Sequence, residues 1–425
     1  MIWLVVLLFA LILLRIPIAF SLIFVSIIGI LFSSPDLLIN VPRNVFNGID
    51  QFTLVAIPLF VLAGELMTKG GISKRLINFS KTIVGPLPGG LAMVVIITSV
   101  FFAALTGTAI AAAAAIGGMM IPEMKKDGYD LRFSSSLVAS AATIGPIIPP
   151  SIVLILYGVM ANESIGDLFI AGVIPGLLMG LGLMVYSYFV GKKYNYRASE
   201  TRASLGEVLH GFKHAILALM MPVIIIGGIV SGMFTATESG VIAVVYAVII
   251  GMFVYREISL KDLKPILLQT AKTTSAIVFL IGGASLFIWF LSFNQIPQQL
   301  ISALGVVADN PILLLLLINV ILLLAGTFID TISAVSIFTP LLLPLVEQAG
   351  IDPLHFGIIL AVNLTIGMVT PPLGVCLFVT SSIAEIGVPK MFKFLFPQVA
   401  ILIVVLLVIT YIPDVILFPV ELFNN

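Results

Sequence analysis

Apolar runs follow one another along the chain, and the short polar breaks between them carry the information. A helix needs about 20 residues to cross the hydrocarbon core of a bilayer. Met1–Leu14 and Ile18–Phe32 flank the break Arg15-Ile16-Pro17, and Phe52–Met67 and Leu168–Val190 each fit one crossing. Lys213–Tyr255 is 43 residues and almost uncharged. As one helix it would reach about 64 Å, two crossings, so a turn is predicted at Gly232–Glu238. Thr273–Phe293 and Phe394–Phe418 read as further spans. The expected fold class is an all-α polytopic membrane protein.

Four segments depart from this pattern. Pro88–Pro122 and Pro311–Val346 are too long for one crossing and are interrupted near their centres, at Thr106-Gly107-Thr108 and at Gly326–Thr331. They read as re-entrant helical hairpins, each entering and leaving on one side. Residues 133–161 and 356–384 contain Thr143-Ile144-Gly145-Pro146-Ile147-Ile148-Pro149-Pro150 and Thr365-Ile366-Gly367-Met368-Val369-Thr370-Pro371-Pro372. Two consecutive prolines remove donors and clash with the preceding turn, so each segment is predicted to be a broken helix. Non-helical backbone survives at membrane depth only where protein buries it or it lines a cavity.

The two breaks lie 222 positions apart, and that offset extends beyond them. Met119-Met120-Ile121-Pro122 through Gly128-Tyr129-Asp130 matches Leu341-Leu342-Leu343-Pro344 through Gly350-Ile351-Asp352, and Pro175 matches Pro397. A duplicated chain is expected: residues 1–190 as the first repeat, 191–212 as a cytoplasmic linker, and 213–425 as the second repeat. Lys and Arg favour cytoplasmic loops. Putting segments 69–88, 123–133, 191–213, 256–272 and 384–393 inside, with Arg15, places 19 of 20 basic residues on one side; Arg43 is the exception. Segments 33–50, 161–167, 294–310 and 347–355 are then outer loops. Each half makes five crossings, an odd number, so the halves insert in opposite directions. Inverted-topology repeats with helices broken near mid-membrane describe a secondary transporter. Polar segments 72–84 and 257–268 would lie on the membrane surface as bracing arms.

Composition closes off other classes. With 60% hydrophobic and 9% charged residues this is no soluble domain, and its 20 basic and 20 acidic residues suggest no nucleic-acid partner. Membrane lipid is the expected surrounding. Single Cys376 rules out an internal disulfide, and three scattered histidines do not propose zinc. An integral-membrane enzyme would need a cluster of His, Asp or Glu, and none is apparent. No metal beyond a coupled cation and no organic cofactor are expected.

Candidate chemistry gathers at the interruptions. If the hairpin tips meet the broken helices, Thr106, Gly107 and Thr108 join Thr143, Gly145, Ile148 and Ser151, and Thr327, Asp330 and Thr331 join Asn363, Gly367 and Thr370. Helix-end carbonyls, short hydroxyls and one amide suit a hard monovalent cation such as sodium, while half-helix N-termini can meet an anionic substrate group. Pro149, Pro150, Pro371 and Pro372 would form the breaks beside the substrate path. Small residues at these positions also serve close helix packing. Asp330 has three readings: completing the cation site, carrying a proton, or capping the second half-helix. Glu238 is at least as well explained as a helix-start residue. Glu65 stands one turn before Lys69, the spacing of a surface ion pair.

Several stretches together resemble one family. Ala56–Glu65, Thr106–Ala112, Gly145–Ser151, Met233–Glu238 and the Pro371-Pro372 segment look like the large membrane (M) subunit of tripartite ATP-independent periplasmic (TRAP) transporters. The likeness covers essentially the whole chain; Ala236 and Ser239 depart from the family pattern. It implies sodium-coupled uptake of an organic acid of the sialic acid or C4-dicarboxylate type. The acid would be delivered by a periplasmic substrate-binding protein. A separate four-helix small membrane subunit would complete the translocator in a bacterial inner membrane. It also implies an elevator mechanism, with a transport domain moving against a scaffold. A stand-alone sodium–dicarboxylate or citrate carrier is the nearest alternative, and a passive channel a more distant one.

Overall fold

The computed structural model describes residues 2–14, 16–196, 204–296, 298–299 and 310–424. Arg15, Arg197, Arg202 and most of the 294–310 loop lie outside them. The described residues are helical and contain no strand. Among the described residues, eight helices are long and apolar enough to cross a membrane.

The first part of the chain comprises α1 (Ile2–Leu13), α2 (Ile18–Ser33), α3 (Asn40–Ile49), α4 (Ala56–Lys69) and α5 (Ile72–Val84). Next come α6 (Gly90–Thr106), α7 (Ala109–Lys126), α8 (Leu131–Ala142), α9 (Ile152–Ala161) and α10 (Ile165–Tyr194). Then follow α11 (Leu205–Val230), α12 (Ala236–Val248), continued by a π-type turn Ile249–Val254, and α13 (Leu260–Phe293). The last part holds α14 (Pro311–Phe328), α15 (Thr331–Gln348), α16 (Pro353–Gly367), α17 (Val375–Ala384), α18 (Val388–Tyr411) and α19 (Asp414–Asn424).

Short polar side chains start these helices by accepting from orphan N–H groups of the first turn. Asp130, Ser151, Ser164, Asp330 and Asp352 do so for α8, α9, α10, α15 and α16. Thr235 and Glu238 form a reciprocal capping box on α12, so Glu238 serves the helix start. Asn162, Asn195 and Glu385 end α9, α10 and α17 in the left-handed region.

Four expectations need correction. The 33–50 segment is not a plain loop: α3 forms because Val41, Val45 and Ile49 recur every four residues, and its face packs on Gly282 of α13. Residues 260–268 are not a separate arm. They begin the 34-residue α13, because no breaker separates Pro265 from Gly282. The final span ends at Tyr411 rather than Phe418, with Pro413 leading into α19. Glu65 and Lys69, both described, make no ion pair.

Two groups of helices emerge. Helices α2 and α3 lie along α13, α4 along α12, and α5 along α11. The other group interlocks the two parts of the chain: α7 packs on α8 and α17, α15 on α9 and α16, α14 on α16, and α18 on α8. At the centre of this second group, residues Phe133–Ala142 of α8 and Leu354–Gly367 of α16 are buried without exception. Helix α7 spans 109–126 and α15 spans 331–348, each end 222 residues from its counterpart.

Candidate functional site

Helix α6 stops at Thr106, Gly107 takes φ +59°, and extended Thr108 leads into α7. The positive φ suits a residue without Cβ. Gly107 lies over the start of α9, where a Cβ would come within 3.3 Å of the Ile152 backbone nitrogen. The Thr106 side chain lies outside what the structure describes. The second tip is tighter: Gly326 and Thr327 still belong to α14, and only Ile329 and Asp330 leave the helical conformation.

Residues 143–151 between α8 and α9 are all buried. Three glycines of α10, one turn apart, receive this break: the Ile147 carbonyl sits against Gly172, the Ile148 side chain against Gly176, and Ile144 near Gly180. Small residues at such spacing let backbones approach closely in membranes. Thr143 Oγ1 donates to the Ser140 carbonyl at 2.7 Å, and Ser151 Oγ donates to the Pro146 carbonyl and caps α9 through Leu154 N at 3.2 Å. Gly145 faces the Thr108 carbonyl, so the first tip touches the first break. The Pro149–Pro150 and Pro371–Pro372 bonds are both cis.

The second break, 368–374, is bound to the second tip through backbone. Gly374 N donates to the Thr327 carbonyl at 3.2 Å, and Gly326 and Gly367 meet without side chains between them. Thr370 Oγ1 turns back to the Ile366 carbonyl at 2.8 Å. Unlike the first break, this one reaches the surface: Pro372 is exposed and Leu373 is 40% exposed.

One small cavity of about 130 Å³ joins all four interruptions. Its wall includes Thr108 from the first tip, Pro146 from the first break, Asp330 and Thr331 from the second tip, and Met368 from the second break. Half-buried Asp330 also accepts from Ser333 N at 3.2 Å, so its carboxylate caps α15 while lining the space. Thr331 Oγ1 donates to Met368 Sδ at 2.9 Å. Asp330, Thr108 and Thr331 are the polar side chains of a wall otherwise made by Ala109, Ile110, Pro146, Val153, Ile332 and Met368. Gly107, Thr143, Gly145, Ile148, Ser151, Thr327, Asn363, Gly367 and Thr370 do not line this cavity, and neither do Pro149, Pro150, Pro371 and Pro372.

Asn363 instead belongs to a second polar cluster. Its Nδ2 donates to Asn319 Oδ1 at 2.6 Å and to the Asn319 carbonyl at 3.1 Å, and Asn319 Nδ2 donates to Thr410 Oγ1 at 3.2 Å. All three side chains are buried, tying α14, α16 and α18 together. A third cluster joins α8 to α18: Ser140 Oγ donates to Gln398 Oε1 at 2.8 Å, and Gln398 Nε2 donates to Ser136 Oγ at 3.2 Å. The sequence reading singled out neither Asn319 nor Gln398. An amide inside an apolar run was the available signal in both cases.

A second space, of about 580 Å³, opens where the α9–α10 turn faces the α11–α12 turn and Phe52. Glu163 lies in its wall. Burial raises the pKa of this carboxyl, and the nearby carboxylates Asp352, Asp167 and Glu347 add to the effect.

Comparison with known proteins agrees with this architecture. The family model described as "Tripartite ATP-independent periplasmic transporter, DctM component" matches residues 5–415. The sialic acid TRAP transporter large permease protein SiaM of Vibrio cholerae is 40% identical over 407 residues, covering 96% of this chain and 95% of that protein. The C4-dicarboxylate TRAP transporter large permease protein DctM of Pseudomonas aeruginosa is 41% identical over 386 residues, covering 91% and 90%. The isethionate TRAP transporter permease protein DctMQ of Oleidesulfovibrio alaskensis is 43% identical over 378 residues, 89% of this chain; the match spans 60% of that longer protein. Among solved structures, the Alcanivorax borkumensis YdaH transporter matches with a TM-score of 0.67 at 13% identity, covering 91% of this chain and 90% of that one. That likeness shows the fold.

Proposed function

The chain belongs to the DctM component family of tripartite ATP-independent periplasmic transporters, and on that premise we propose that it is the large permease of a sodium-coupled importer of an organic acid. The observation that carries the reading is the 130 Å³ cavity, where both hairpin tips and both helix breaks supply its wall. Sodium held there by Asp330, Thr331, Thr108 and neighbouring backbone oxygens would tie the tips to the breaks. Helix N-termini at α7, α9 and α15 offer positive dipole ends to a substrate carboxylate. The coupling follows: the anion's site is complete only when the cation has drawn the tips in.

The two parts of the chain act as inverted repeats. Helices α6–α10 and α14–α18 form the moving body, with α6–α7 and α14–α15 as re-entrant hairpins, and α2–α5 with α11–α13 form the scaffold of an elevator. The interlocked packing of α7 on α17 and of α15 on α9 supports one rigid mobile body. A periplasmic binding protein hands over the substrate, a separate small membrane subunit completes the translocator, and the assembly sits in a bacterial inner membrane. The named relatives make sialic acid, C4-dicarboxylates and isethionate the first substrates to test.

The test is reconstitution of the chain with its small subunit in proteoliposomes. Labelled acid should accumulate only with an inward sodium gradient and a cognate binding protein. Accumulation without sodium would overturn the coupling, and accumulation without any binding protein would favour the stand-alone carrier.

A further inference from the structure

Helix α5 and the first turns of α11 enclose a groove of about 890 Å³ that shares no lining residue with the cavity between the tips. Helix α5 is amphipathic: Leu76, Ile77 and Ser80 are buried, while Lys74 and Asn78 point outward into the groove. The apolar stretch Gly206–Val230 of α11 is a candidate span, and the groove sits at its polar first turns. Such a position is the boundary between headgroups and hydrocarbon.

The back wall is built rather than incidental. The Arg75 guanidinium stands 3.7 Å over the Tyr255 ring and pairs with Glu257 at 2.7 Å. The Tyr255 hydroxyl donates to the His214 carbonyl at 3.2 Å, and the Phe79 and Phe212 rings pack 5.8 Å apart. The acidic groups at this groove are already answered. Glu257 has Arg75, Glu123 behind Lys81 has that lysine, and Glu207 closes a capping box with Ser204 at the start of α11. Lys74 and Lys213 make no ion pair among the described residues; His210, its ring 4.3 Å from that of His214, lines both the groove that holds Lys74 and the depression that holds Lys213.

A second depression shares His210 and continues past Leu209, Phe212 and Ile216. Leu209 is 66% exposed and Phe212 40%. A charged recess leading into an apolar strip at the membrane boundary matches a molecule with both parts, and anionic headgroups attract basic residues there. A soluble phosphate would leave the strip uncovered. We propose that this groove is a binding site for one anionic phospholipid, its phosphate between Lys74, His210 and Lys213 and its acyl chains along Leu209, Phe212 and Ile216. The site is independent of the transport cavity and holds α5 against α11 from the membrane side.

Native mass spectrometry tests this on full-length protein taken from nanodiscs of equal phosphatidylglycerol and phosphatidylcholine. Wild type should retain phosphatidylglycerol several-fold over phosphatidylcholine. The surface variant Lys74→Gln/His210→Gln/Lys213→Gln should lose that preference while staying folded, and Lys261→Gln/Lys264→Gln on α13 should keep it. Excess inorganic phosphate should not displace the lipid. Equal retention of the two lipids by wild type overturns the proposal. So does a preference that survives the triple variant, one lost equally in the α13 variant, displacement by phosphate, or a co-purified small subunit that excludes lipid from the groove.

Discussion

Gly367 of α16 lies backbone to backbone against Gly326 of α14: a Cβ on Gly367 would come within 2.6 Å of the Gly326 Cα. No side chain on the partner can swing aside, so Gly367→Ala must push α14 and the second tip off the break. Overpacking of this kind costs about 1–3 kcal/mol. Gly367→Ala should lower Tm and abolish uptake. Gly118→Ala, at a helical glycine with open space around its missing Cβ, should do neither. Thermal unfolding in detergent with a parallel uptake assay decides it.

Asp330 caps α15, and the proposed function gives it the cation as well; substitution can separate the two. Asn keeps an oxygen acceptor for Ser333 N, whereas Ala does not. Asp330→Asn should therefore fold with near wild-type Tm but need far more sodium for uptake. Asp330→Ala should lose about 1 kcal/mol of stability as well. A sodium titration unchanged in Asp330→Asn would remove the carboxylate from the ion site.

Among the described residues, Gln398 is the partner to which Ser140 Oγ donates across helices, and both groups are fully buried. Gln398→Leu takes the acceptor from Ser140 Oγ, while Ser136 Oγ keeps the Phe133 carbonyl, a loss of about 1–3 kcal/mol for the stranded group. The triple variant Gln398→Leu/Ser136→Ala/Ser140→Ala removes donors and acceptors together and should recover much of that loss. Chemical or thermal unfolding of the two variants measures the difference.

Asp130 begins α8 and is paired with Arg132, with side-chain oxygen to NH2 at 2.5 Å. The hydrogen bond from Arg132 is the main reason its carboxyl titrates below the usual range, against some burial. A lowered folded-state pKa gives stability that is present above the unfolded value and fades as pH falls through the folded one. Asp130→Ala should thus cost about 1 kcal/mol at neutral pH. The gap from wild type should be flat between pH 7 and 5 and close only below about pH 4.

Much of the architecture could be read from the chain because its breakers are strong. Pro149-Pro150 and Pro371-Pro372 cannot continue a helix, and the Gly107 turn has no Cβ to hinder its positive φ. What stayed hidden depended on partners distant in sequence. Asn363 faces Asn319 rather than the cavity because an amide inside an apolar bundle takes the nearest amide, whichever helix carries it. Helix α3 was missed because Asn40, Arg43 and Asn44 resemble loop composition, although Val41, Val45 and Ile49 keep a helical period. The arm at 257–268 was cut from α13 on charge alone, although charge does not end a helix when its start is capped by Ser259 and Asp262.

The bond between Ser140 and Gln398 spans 258 positions. Helix α8 must therefore leave the ribosome and enter the bilayer long before its partner exists. Until then Ser136 is limited to borrowing the Phe133 carbonyl in its own turn. Assembly of the protein is consequently a matter of waiting: the earliest broken helix is finished only by one of the last to be synthesised.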